Sequence, residues 1–304
     1  MIRATPDPRW RIPARHNVAL VALVWTAALA LLWLGSRFEG SWWVLIGLGI
    51  VYSYLMLTNY SLMHEAAHDK LHPHPPLNHL LGICCGLLFP MSHTLLHNTH
   101  RKHHLQNRSR DELFDLYLPG DNLLTKRLQW YGIMTGAFWF WPVIGSVVLA
   151  LVPPAAVRRW FQGDPSWSAY TANFSAREIL WMRIELAALA LFFLLLVSGL
   201  GVSFQVLAVY YGFSAINWST RQFVEHAYTS RDVIEGSLNL RHFRWMSAVL
   251  LHRELDLNHH RYPSVPWCYL PCLGGPGEQR RRYLAQYFRM WRGPIPAAQV
   301  ESAP

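Results

Sequence analysis

Charge is scarce in this chain. Only 15% of its 304 residues are Asp, Glu, Lys or Arg, against roughly 25% in an average soluble domain. Four stretches have none at all: residues 16–36, 40–63, 128–157 and 186–220. Each exceeds the roughly 18 apolar residues that can span a bilayer. A soluble protein of this size would lack the polar surface to cover so much apolar chain. Cysteine is scarce as well. The four are Cys84-Cys85 and Cys268-x3-Cys272. Neither spacing is that of a zinc knuckle, and they read as reduced structural thiols. No Gly-rich dinucleotide fingerprint, haem domain or cleavable signal pattern is apparent. The formal net charge of +9 is explained by basic residues gathering on the cytosolic side of a membrane, so nucleic acid is not expected as a partner.

Histidine, by contrast, is abundant, with 16 residues, and much of it is clustered. The first cluster is His64-Glu65-Ala66-Ala67-His68, with i, i+4 spacing on one helix face. The second holds His97, His100, His103 and His104, which share about a third of a helical wheel. His226 stands alone in Phe223-Val224-Glu225-His226. The last is His259-His260, with Asp256 one turn before and His252 a further turn back. Neutral imidazole is the commonest metal ligand. One ion needs three or four ligands, so nine clustered histidines suit two ions. His16, His79, His93 and His242 read as ordinary packed residues. His64-Glu65-x-x-His68 also matches the zinc-protease motif with Glu65 as general base. That alternative leaves the second and fourth clusters unexplained.

The expected architecture is all-α, a single membrane domain over 1–304. Residues 1–16, with Arg3, Arg9, Arg11 and Arg15, form a cytosolic arm, and residues 272–304, with Arg280-Arg281-Arg282, a cytosolic tail. Val18–Leu34 and Ser41–Met63 cross as a pair. Residues 71–76 are broken by prolines, and Leu77–Leu96 reads as interfacial or partly inserted. The stretch 186–220 reads as two helices joined at Ser198-Gly199-Leu200-Gly201. Residues 128–152, with Pro142 in their middle, then read as a re-entrant or interfacial hairpin. A simpler alternative makes 128–152 one span and 180–218 one long bent element. Both give four crossings.

The chain resembles the integral-membrane fatty acid desaturase and hydroxylase superfamily, the histidine-box di-iron enzymes. His64-x3-His68 resembles the first box, and His100-Arg101-Lys102-His103-His104 the second. His259-His260, followed by Arg-Tyr-Pro-Ser-Val-Pro-Trp-Cys-Tyr-Leu-Pro, resembles the third. Glu225-His226-Ala227-Tyr228 with Arg231-Asp232-Val233 resembles the extra histidine segment between the second and third boxes. The resemblance implies four transmembrane helices, two iron ions on the cytosolic face, and O2-dependent attack on an alkyl chain. Desaturation is the leading outcome; hydroxylation and oxidative decarboxylation to a terminal alkene remain open. It also implies a membrane lipid or fatty acyl substrate. Electrons would come from an external ferredoxin or cytochrome-type donor with its reductase, since no such module is present. Arg101, Lys102, Arg108 and Arg110 are candidates for docking that donor, or simply reflect topology. The expected location is a bacterial inner membrane. Asp256 departs from the pattern, which has His or Gln three places before the histidine pair. It is either a ligand or a partner orienting an imidazole, in which case His252 or His97 completes the set. Trp42, Trp43, Trp139 and Trp141 either line an acyl tunnel or sit in the interfacial belt.

Overall fold

A computed structural model describes residues 9–160, 174–275, 278 and 280–301. The first eight residues of the arm, Arg3 among them, lie outside the described residues. Helix α1 (Ala14–Arg37) and helix α2 (Trp42–Ala67) form an antiparallel pair. Helix α3 (Pro75–Leu88) and helix α4 (His93–Gln106) follow, bent 103° to each other. The apolar segment 77–96 is thus split by a sharp corner at residues 89–92. Helix α5 (Leu123–Met134) and helix α6 (Phe140–Leu151) are bent 87°. Helix α7 (Pro154–Trp160) is short, and helices α8 (Ala176–Ser198) and α9 (Phe204–Ser219) close the membrane part.

Among the described residues, α1, α2 and α8 are long and apolar enough to cross a membrane. Helix α9, with 16 residues, is only about 24 Å long. It falls short of that length and lies along α2. Gly49 permits this approach: a Cβ there would meet Phe213 at 3.0 Å and Tyr210 at 3.3 Å. The Tyr52 hydroxyl bonds the Tyr211 hydroxyl at 3.1 Å, and Tyr211 donates to the Leu88 carbonyl at 3.0 Å. Asn59 of α2 donates to Cys85 O of α3 at 2.8 Å. Buried polar pairs thus lock an otherwise non-directional apolar core.

The break in 128–152 falls at Gly136, not at Pro142. Gly136 has φ +99°, and a Cβ there would press on the Ile216 backbone at 3.1 Å. Pro142 sits in the first turn of α6, where its missing N–H costs nothing. Helix α8 begins at a capping box of Ser175 and Glu178, well before the uncharged run, so its first turns carry charge.

The rest of the chain forms a cap. It contains helices α10 (Arg244–Val249), α11 (Asp256–Arg261), α12 (Tyr283–Met290) and α13 (Ala298–Glu301). Two parallel pairs of two-residue strands, Leu116–Tyr117 with Ile295–Pro296 and Leu240–Arg241 with Arg281–Arg282, tie its far end back. Trp42 and Trp43 are exposed at the start of α2, whereas Trp139 is buried in the core beside Tyr211.

Candidate metal centre

The end of α2, all of α4 and the short α11 converge where the membrane part meets the cap. Helix α4 is held at both ends. Its first turn is capped by Ser92, whose hydroxyl accepts from Leu95 N at 3.1 Å. Glu185 of α8 accepts from the Ser92 hydroxyl, from Thr94 N at 3.1 Å and from the Thr94 hydroxyl at 2.6 Å. Beyond its last turn, Arg108 is buried and paired with Asp115 at 2.6 and 3.0 Å. Arg108 also donates to Thr229 O at 3.1 Å, and Asp115 accepts from Tyr228 N at 2.6 Å. This network fixes the segment that carries His226. It also removes Arg108 from the candidate docking residues, because its guanidinium is enclosed. Helix α11 is too short to stand alone. Asn258 holds it, giving N–H to Asn239 Oδ1 at 3.0 Å and Nδ2 to Leu270 O at 3.0 Å.

Two groups of histidines result. His64, His68, His100 and His259 place ligand atoms within 4.8 Å of one another, and so do His103, His226 and His260. His104 lies at their junction: its Nε2 is 3.0 Å from those of His100 and His259, and its ring is 4.4 Å from that of His260. His68 Nε2 and His100 Nε2 are 2.7 Å apart. A neutral imidazole has one N–H and one lone pair. Four converging Nε2 atoms cannot satisfy one another, and neither nitrogen of buried His64 has a hydrogen-bond partner. Such orphaned atoms are what a bound cation would use.

The outward nitrogens are tied down. His103 Nδ1 is 2.6 Å from Glu112, and His226 Nδ1 is 3.1 Å from Gly236 O. Partners of this kind set ring orientation and tautomer. Burial pushes His226 down to about 3 and His260 to about 4. The Asp256 carboxylate lies 3.2 Å from His226 Nε2 and 3.4 Å from His260 Nε2, and accepts from the Ser237 hydroxyl. Burial alone would raise it, but His260, His226 and Ser237 bring it down to about 2. It is an ionised group facing the second set of histidines.

Two candidates stand apart. His97 is one turn before His100, and its Nε2 turns to Asp69 at 3.9 Å. The wheel puts it on the same face, but the turn's rise carries it past the site. His252 stacks on Trp267, with Nδ1 3.7 Å from Glu254. Glu65 is buried and accepts from the Trp267 amide at 3.2 Å, so the motif's would-be base is engaged elsewhere. Sequence reasoning missed Glu112, Ser237 and the Gly236 carbonyl. Ser237 and Gly236 lie in loops and Glu112 ends a single 3-10 turn, Arg110–Glu112, so no periodicity marks them.

A cavity of about 700 Å3 opens beside the second group. His100, His103, His226 and Asp256 line it, with Leu95, Phe138, Trp141 and Phe223 among its apolar walls. Trp141 is therefore a cavity residue. Arg110, Asp121 and Lys126 line it as well, Arg110 at the protein surface.

The family model for fatty acid desaturases matches residues 40–291. The chain belongs to that family. No curated protein matches the sequence. Membership makes this membrane protein an oxidoreductase of lipid chains, with histidine groups that could hold a metal.

Proposed function

We propose that the chain is a di-iron, O2-dependent desaturase of a fatty acyl chain. The observation that carries this is the pair of histidine groups joined at His104 and opening on an apolar cavity. His64, His68, His100, His104 and His259 hold one ion. His103, His226, His260 and Asp256 hold the other. All-nitrogen and mixed nitrogen–carboxylate sets both suit iron. Bound there, two irons supply activation of O2 and removal of hydrogen from an unactivated C–H bond.

The protein's own part is position and dryness. Leu95, Phe138 and Phe223 fix the depth of a chain that has no polar handle. Glu112 and the Gly236 carbonyl hold the His103 and His226 rings in place. For a double bond the balance is one –CH2–CH2– unit, O2, two electrons and two protons, giving –CH=CH– and two waters. The electrons come from an external ferredoxin or cytochrome-type donor, and the site faces the cytosol of a bacterial inner membrane. The test is metal analysis of purified protein together with lipid analysis of a host with and without the chain. About two irons per chain and a new unsaturated lipid are expected. One tight zinc and an unchanged lipid profile would overturn the reading.

A further inference from the structure

The tail carries a helix with two contrasting faces. Tyr283, Gln286 and Met290 of α12 are buried. Leu284, Phe288 and Trp291 follow one another at i, i+4 and i+7 and share the other side. They are 45%, 67% and 44% exposed. An exposed apolar row of this kind marks a surface with a partner. Arginine surrounds it. Residues 281–292 include Arg281, Arg282, Arg289 and Arg292 and no Asp or Glu. Among the described residues, none of the four forms an ion pair with a carboxylate. Arg289 lies over the Tyr228 ring at 4.9 Å, and Arg281 and Arg292 act on it as like charges.

The position of α12 identifies the partner. On one side it is fastened to α5. Trp130 Nε1 donates to Met290 O at 2.8 Å, and the Tyr131 hydroxyl to Trp291 O at 3.2 Å. Helix α5 belongs to a bent pair apolar enough to enter a membrane, and Leu124 and Leu128, one turn apart, are exposed on it. On the other side, the pairing of Leu240–Arg241 with Arg281–Arg282 joins α12 to the start of α10. Phe243 and Trp245 are exposed there, and the Trp245 ring lies 6.1 Å from that of Tyr54 on the membrane-crossing α2. The stripe therefore sits between two elements of the membrane part. Tryptophan and arginine around an apolar helix face suit the headgroup level of a bilayer. An acidic protein would match the arginines but leave the apolar row and its continuity with α5 unexplained.

We infer that α12 lies in the headgroup layer of the bilayer. Leu284, Phe288 and Trp291 enter the acyl boundary, and the arginines hold anionic phospholipid headgroups. The tail is then part of the membrane face of the cap and not a free cytosolic end. This holds whatever reaction the histidine centre performs.

Photocrosslinking tests it on the whole chain. Phe288→p-benzoylphenylalanine is irradiated in nanodiscs of equal parts phosphatidylcholine and phosphatidylglycerol, and adducts are read by mass spectrometry. Lipid adducts are expected, with phosphatidylglycerol favoured about 2-fold or more, as several arginines near an anionic surface require. The same probe at Leu284 guards against a local disturbance at Phe288. Arg281→Gln, Arg282→Gln and Arg292→Gln together, all at exposed positions, should bring the two lipids towards equal yield. Absence of lipid adducts at both positions would overturn the inference, as would a phosphatidylglycerol preference untouched by the triple change. Crosslinks to a second copy of the chain, or to added ferredoxin, in place of lipid would make the stripe a protein interface and overturn it as well.

Discussion

Thr94 and Glu185 are joined twice: the Thr94 amide and hydroxyl both donate to the Glu185 carboxylate, at 3.1 and 2.6 Å. Glu185 is a buried acid on a membrane-crossing helix, a costly place for one. It satisfies the open N–H groups of α4's first turn, and α4 carries His100, His103 and His104. Glu185→Ala is expected to cost about 2–4 kcal/mol and to lower the melting temperature of the purified protein. Glu185→Gln should fall between, because it can still accept from Thr94. A thermal scan of the three proteins checks the order.

The Arg108–Asp115 pair clamps the far end of the same helix. Removing Arg108 strands a buried carboxylate, at an expected cost of about 3–5 kcal/mol. Replacing both partners by apolar residues should not restore stability, since Tyr228 N and Thr229 O also rely on them. A double-mutant cycle on melting temperature measures this. A fully stable Arg108→Met, Asp115→Leu protein would show that the clamp is dispensable.

The gathering of the histidines was legible because side-chain spacing on a helix is periodic: residues 64 and 68, or 100, 103 and 104, face one way whatever surrounds them. The helical pair within 186–220 was legible from its length and its Gly-rich centre. Periodicity alone failed at His97, where the same face of the helix lies too far along the axis. The corner at Gly136 was obscured by Pro142, a stronger signal that happened to fall in a tolerant first turn. The start of α8 was hidden because Glu178 and Glu185 look wrong for a membrane helix until Asn98 and Thr94 are seen to donate to them. Glu112 ends a single 3-10 turn and Ser237 lies in irregular chain, and only the fold brings them to the site.

His97 and His100 provide a paired test of where the centre ends. His97→Ala should leave iron content unchanged and turnover within about 3-fold, since His97 only faces Asp69 at 3.9 Å. His100→Ala should abolish activity while the protein still inserts, because it removes a ring whose Nε2 touches those of both His68 and His104. The same loss is expected for His64, His68, His103, His104, His259 and His260. Iron loss in His97→Ala equal to that in His100→Ala would place His97 back within the ligand set.

On the di-iron proposal, Asp256 would decide the character of the second ion. Its carboxylate lies 3.2 and 3.4 Å from the Nε2 atoms of His226 and His260, the atoms that would bind that ion. An oxygen so placed would share an ion with them; an acid that merely oriented a ring would instead accept from the outward nitrogen, as Glu112 does for His103. Asp256→Asn keeps the shape and the Ser237 contact but removes the charge. It should lower iron affinity or activity by roughly 10–100-fold, with iron falling from two towards one per chain. Asp256→His should retain more iron than Asp256→Asn, because imidazole can replace a carboxylate at iron. His226→Ala should resemble Asp256→Asn, since both deplete the same ion, whereas His64→Ala should deplete the other. Iron quantitation with a spectroscopic signature for coupled irons separates these cases. Full iron content and full turnover in Asp256→Ala would remove Asp256 from the centre altogether.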